Sequence, residues 1–143
     1  MINLKVKRLT DTAKLPTYAH DGDACFDLYV DDVNETHGGT VFTCDTGLSV
    51  EVPQGYAMMI YSRSGHGFKN NMRLSNCVGV LDSGYRGNIM VKLTCDRQIQ
   101  YVPKVGDRIA QAMLIPVPVV TFEEVAELSD SERGNGGFGS SGR

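Results

Sequence analysis

Apolar residues in this chain come in short runs set off by turn residues. Ile89, Val91 and Leu93 alternate with Met90, Lys92 and Thr94, the period of a strand with one buried face. Runs of this kind predict strands at residues 4–9, 25–30, 40–43, 48–52, 56–61, 77–81, 88–94, 108–116 and 119–125. Pro53-Gln54-Gly55 and Asp82-Ser83-Gly84 carry turn chemistry. No long 3.6-residue period is present. The best helix candidate is a turn or two at residues 66–72, weakened by glycine. Many short strands at close spacing predict an all-β sandwich, jelly roll or small barrel.

After Glu127 the pattern stops. Ser129-Asp130-Ser131-Glu132 is polar, and Arg133 to Arg143 is rich in glycine with a lone aromatic, Phe138. A boundary near Ala126 divides a β domain, residues 1–125, from a C-terminal arm, residues 126–143. The 143 residues suit one domain able to bury a real core.

A formal net charge of −3 argues against general nucleic-acid binding, which needs a basic surface. It also requires that any anionic ligand be held by a local cluster of cations. Cys25, Cys44, Cys77 and Cys95 lie far apart, and the three histidines complete no zinc pattern. Reduced thiols in a cytoplasmic protein are expected. MINLKVKRLT is too polar for a signal peptide, and no apolar run approaches the ~20 residues of a membrane span.

Four internal stretches could carry chemistry. In Asp23-Ala24-Cys25-Phe26-Asp27-Leu28, Asp27 is a carboxylate in apolar surroundings, costly unless paired, capping or near a metal. Ser62-Arg63-Ser64-Gly65 follows an apolar run and suits a phosphate, with a guanidinium fork and a close backbone approach. The stretch from Asn76 to Gly87 reads as a β-hairpin. Within it Asp82 fits either a turn carboxylate or a general base, and Tyr85 either a turn aromatic or a platform for a ring. In Gly106-Asp107-Arg108-Ile109-Ala110-Gln111, a turn precedes a strand, and Gln111 is the ligand contact on offer. No phosphate-binding GxxxxGK[ST] loop or dinucleotide GxGxxG pattern is present in its strand–helix context.

Taken in order, these stretches and the tail resemble the trimeric deoxyuridine triphosphatases (dUTPases). Gly79-Val80-Leu81-Asp82-Ser83-Gly84-Tyr85-Arg86-Gly87 and the tail from Arg133 to Gly142 are the most specific matches. The resemblance implies a jelly-roll-like β-clip barrel, a flexible glycine-rich arm, and a homotrimer. It implies hydrolysis of dUTP to dUMP and pyrophosphate with Mg²⁺. It also implies sites shared among subunits: the first, second and fourth motifs from one chain, the third from a neighbour, the tail from the third. No nucleic acid or membrane is expected as partner, and a regulatory protein partner is left open.

The resemblance also distributes roles. Asn76, Gly79 and the hairpin backbone answer the acceptor–donor–acceptor edge of uracil. Cytosine reverses that polarity at two positions, at roughly 1–3 kcal/mol each. Tyr85 lies against deoxyribose and excludes a 2'-hydroxyl. Asp82 is the general base toward water attacking the α-phosphorus. Arg63, Ser64, Gly65 and Gln111 contact phosphates, with Arg108 left between a phosphate contact and a structural role. Asp27 holds waters of the Mg²⁺ ion. In the tail, Phe138 covers the uracil face, Arg133 neutralises the γ-phosphate end, and Gly139 and Ser140 contact phosphates.

The chain departs from the family pattern at Cys25, where glycine is usual, and around the second motif. There Ser62 precedes Arg63, and His66-Gly67-Phe68 follows Gly65. His66 is assigned a surface or packing role ahead of a phosphate contact. Rival readings are the related dCTP deaminase, a protein-binding regulator on the same scaffold, and a structural jelly-roll subunit.

Overall fold

The computed structural model describes residues 1–36, 40–97, 101–137 and 139–140. Ten strands and one helix run in the order β1 (Lys5–Arg8), β2 (Phe26–Tyr29), β3 (Asp32–Thr36), β4 (Val41–Asp45), β5 (Leu48–Glu51), β6 (Tyr56–Tyr61), α1 (Ser64–Asn70), β7 (Met72–Leu74), β8 (Val78–Leu81), β9 (Met90–Cys95) and β10 (Arg108–Pro116).

The alternation seen at residues 89–94 is the structural one. Ile89, Val91 and Leu93 are buried, whereas Met90 and Lys92 face outward. The same rule fills one core from two four-stranded antiparallel sheets, ordered β2-β10-β6-β8 and β3-β4-β9-β7, with a β1-β5 pair beside them. Leu28, Met58 and Ile109 come from the first sheet, and Phe42, Met72, Leu74 and Leu93 from the second. Full burial of each such side chain contributes about 1.5–3 kcal/mol, so the shared core holds the sheets together.

The chain differs from the sequence expectation in four places. β3 carries a single apolar residue, Val33, and pairs only with β4 at the sheet edge, so hydrophobic periodicity could not mark it. The helix starts earlier than expected and ends at Asn71, whose left-handed backbone (φ 51°) turns the chain straight into β7. Met72 therefore belongs to a strand. Residues 119–125 form no strand: Val119 and Phe122 are 94% and 97% exposed. A strand needs a ladder partner for its backbone groups, and β10 is the last strand among the described residues. Finally, the stretch from Asn76 to Gly87 is not the root and tip of a paired hairpin. β8 pairs with β6 and β9 with β4 and β7, so the turn crosses from one sheet to the other.

Candidate active site

One end of β6 gathers charge. Asp27 lies in β2, buried to 6% exposure, and β2 runs beside β10 with Gln111 opposite Asp27. Gln111 is also opposite Tyr61, the last residue of β6. Arg63 follows two residues later as the N-cap of α1, with an extended backbone that turns its side chain back toward the sheet. Its Nε donates to Asp27 Oδ1 at 2.8 Å, and Arg108 Nη1 donates to Asp27 Oδ2 at 3.1 Å. One buried carboxylate thus holds two guanidiniums, and the cluster carries a net positive charge suited to phosphate.

Gln111 Nε2 donates to the Ser62 carbonyl at 3.1 Å, and Ser62 Oγ accepts from the Leu74 N–H at 2.9 Å. These bonds fix the turn that presents Arg63. Ser64 and Gly65, in the first turn of α1, are exposed beside it. A methyl group on Gly65 would meet nothing within 4 Å, so the approach to this backbone is open.

The third motif lies along β8. Asn76, Gly79, Ile60, Met90 and Lys92 help line a cavity of about 220 Å³ between β8 and β9. Val80, Asp82, Tyr85, Asn88 and Met90 help line a second, also about 220 Å³. The Tyr85 hydroxyl donates to the Asn88 carbonyl at 2.8 Å, and its ring lies over Gly87 so closely that any side chain there would overlap it. Asp82 is exposed, and no described residue donates a hydrogen bond to its carboxylate.

Register separates the two halves. β8 runs antiparallel to β6, with Val78 opposite Tyr61 and Leu81 opposite Met58. Asp82 therefore leaves at the Ala57 end, while Arg63 leaves at the other. At ~3.3 Å per residue the two lie roughly 20 Å apart within one chain. The structure thus joins Asp27, Arg63, Arg108 and Gln111, and keeps Asp82 and Tyr85 away from them.

The described residues of the arm hydrogen-bond to neither half. Arg133 Nε donates to the Gly136 carbonyl at 2.8 Å, and the Ser140 N–H to the Gly137 carbonyl at 3.0 Å. Among its described residues from Ser131 onward, the hydrogen bonds stay within the arm. Gly139 takes φ +96°, a conformation open to glycine. Phe138 lies outside the described residues.

A metal would find little here of the protein's own. Among the described residues no group of three His, Cys, Asp or Glu side chains could hold an ion. Asp27 already accepts a guanidinium on each oxygen, although a carboxylate keeps further lone pairs for a water. This set fits an ion carried by a substrate's phosphates and met through water.

Sequence reading left Arg108 undecided and passed over Met90 and Lys92. The apolar setting of Asp27 signalled a partner, and strand alternation put Met90 and Lys92 on the outer face. Of the surface and packing roles that the sequence reading offered His66, the structure shows packing: the ring is buried to 7% exposure.

Comparison with known proteins defines the class first. A family model described as dUTPase matches residues 11–142, which makes the chain a nucleotide hydrolase. The deoxyuridine 5'-triphosphate nucleotidohydrolase of Leifsonia xyli subsp. xyli is 45% identical over 130 residues, covering 90% of this chain and 86% of that one. The enzyme of the same name from Alkaliphilus metalliredigens is 41% identical and covers 99% of both chains. A mutant dUTPase of Staphylococcus bacteriophage 80alpha, solved with dUpNHpp, superposes over the full length of both chains with a TM-score of 0.82 at 28% identity. The chain belongs to the dUTPase family, the deoxyuridine 5'-triphosphate nucleotidohydrolases, and is an enzyme of that kind.

Proposed function

We propose that the chain hydrolyses dUTP to dUMP and pyrophosphate at sites that subunits of a homotrimer share. The observation that carries this reading is the separation of roughly 20 Å between Asp82 and Arg63, set by the β6–β8 register. A base at Asp82 and phosphate contacts at Arg63 can serve one substrate only if they come from different chains. The exposed apolar side chains of Val119, Val120, Phe122 and Val125, in a stretch without a partner strand, support assembly for an independent reason. In this reading residues 1–125 form a jelly-roll-like β-clip barrel, and residues 126–143 are the arm.

Uracil and deoxyribose occupy the groove along β8. Asn76 and the backbone about Gly79 read the pairing edge of the base, and Tyr85 packs on the sugar where a 2'-hydroxyl would collide. Asp82 takes a proton from the water that attacks the α-phosphorus, which requires hydrogen-bond reach of that water. Arg63, Ser64, Gly65 and Gln111 of another subunit hold the phosphates. Asp27 would meet a water of a Mg²⁺ ion bound with the substrate, and such an ion would supply charge neutralisation at the phosphates. The arm closes from a third subunit. Arg133 neutralises the γ-phosphate end, Gly139 and Ser140 add donors, and Phe138 covers the base. In the cell this chemistry keeps uracil out of DNA and supplies dUMP for dTMP synthesis.

Pyrophosphate release from dUTP, dTTP, dCTP and UTP, with and without Mg²⁺, tests the reading. Release is expected from dUTP alone and is expected to need the ion. Ammonia release from dCTP would instead identify a deaminase. Asp82→Asn is expected to lower the rate at least ~100-fold, the lower end of a general-base contribution. Mixing Asp82→Asn with Arg63→Ala chains tests sharing, because mixed trimers regain one intact site. Absence of complementation would remove the shared-site proposal.

A further inference from the structure

His66 is the one buried residue of α1 and a departure from the family's second motif. Its Nε2 lies 2.8 Å from the Arg108 carbonyl oxygen. A carbonyl only accepts, so Nε2 carries the proton. Nδ1 then accepts from the Asn70 side-chain amide at 3.4 Å. The ring packs on Tyr101, centroids 5.0 Å apart, and the Tyr101 hydroxyl donates to Asp107 at 2.5 Å. The same Arg108 carbonyl receives Arg63 Nη1 at 3.3 Å. One oxygen at the start of β10 thus takes both the helix and the guanidinium that the helix presents.

We propose that His66 is a positioning residue for the phosphate half of the site. It pins α1 to β10 at Arg108, and so holds Arg63 against Asp27 with Ser64 beside it. The Ser62 bonds fix the turn before the helix and the Cys95 thiol meets the Asn70 carbonyl at its far end, but the helix has just seven residues and no side-chain cap at Arg63, and His66 is the residue within it that bonds to β10. A leucine of similar bulk would fill the space between α1 and Tyr101 without bonding the carbonyl. This inference rests on the dUTPase reading of the preceding subsection and adds to it a residue that the site does not touch.

The test uses the full chain with His66→Leu and His66→Gln, titrated with dUpNHpp and with deoxyuridine, which has no phosphate. Losing the anchor is expected to weaken dUpNHpp by about tenfold, the upper end of one net hydrogen bond. Deoxyuridine binding should be unchanged. Glutamine can place an N–H near the position of Nε2, and His66→Gln should recover most of the lost affinity. Imidazole ¹⁵N shifts of the parent protein should report one neutral tautomer protonated at Nε2. Normal dUpNHpp affinity in His66→Leu, equal weakening of both ligands, or no recovery in a folded His66→Gln would overturn the proposal. Should His66→Leu fail to fold, the glutamine variant and the ¹⁵N spectrum decide, and an Nδ1–H tautomer overturns it. A parent protein that binds neither ligand would sink the dUTPase reading, and the spectrum would still report on the anchor.

Discussion

Arg63 reaches back across 36 residues of chain to donate its Nε to Asp27 Oδ1 at 2.8 Å. The carboxylate is nearly sealed from water, and its other oxygen receives Arg108. Burying an ion is costly unless it is paired, so the pairing explains how a carboxylate stands among apolar neighbours in β2. In the proposed reading, Asp27 thereby aims the arginine that would hold the phosphates.

Asp27→Asn keeps the shape and removes the charge. Two partly buried guanidiniums then lose their counter-ion. We expect destabilisation of about 2–3 kcal/mol, below the full cost of breaking a buried pair because Arg108 is half exposed. Urea denaturation measures the loss. Affinity for dUpNHpp should fall as well, since Arg63 is no longer aimed. A variant as stable as the parent would mean that the pair contributes nothing net.

Gly87→Ala places a methyl group where the Tyr85 ring lies. The ring must move and give up its bond to the Asn88 carbonyl. Tyr85 is 43% exposed and can swing toward solvent, so stability should change little. If Tyr85 is what excludes the 2'-hydroxyl, the preference for dUTP over UTP in kcat/KM should drop. An unchanged preference would take that role from Tyr85.

Ending the chain after Asp130 removes Arg133 and everything beyond it. Among its described residues the hydrogen bonds are internal, and the barrel gives up none of those. Thermal unfolding and sedimentation should match the full chain, while dUTP turnover nearly vanishes. Full-rate turnover by the shortened protein would refute the lid.

Thiol chemistry separates the cysteines. Burial pushes the Cys44 thiol up to about 12, which leaves almost no thiolate near neutral pH. Cys77 is exposed beside Asn76 in the turn between β7 and β8. A thiol reagent at pH 8 should label Cys77 quickly and leave Cys44 intact until the protein unfolds. Bound dUpNHpp should slow the fast phase, and Cys77→Ser should abolish it. Prompt loss of Cys44 would contradict its packing.

Much of this molecule is legible in its sequence because the interactions concerned are local. Period-two alternation marks strands with one buried face, and β6 and β10 fall where the apolar runs begin and end. The order of short motifs marks the family, since each requires particular residue types at close spacing. The edge strands of the second sheet escape: β3 buries too little, and β7 is three residues long and lies against the end of a helix.

Tertiary structure alone decided which motifs meet. Asp27, Arg63 and Arg108 are scattered along the chain and become neighbours because β2 and β6 flank β10. Asp82 is nearer to Arg63 in sequence than Asp27 is, yet antiparallel pairing sends it to the opposite end of β6. Sheet register sets such distances, and register comes from the fit of the whole core, which no local stretch of sequence encodes.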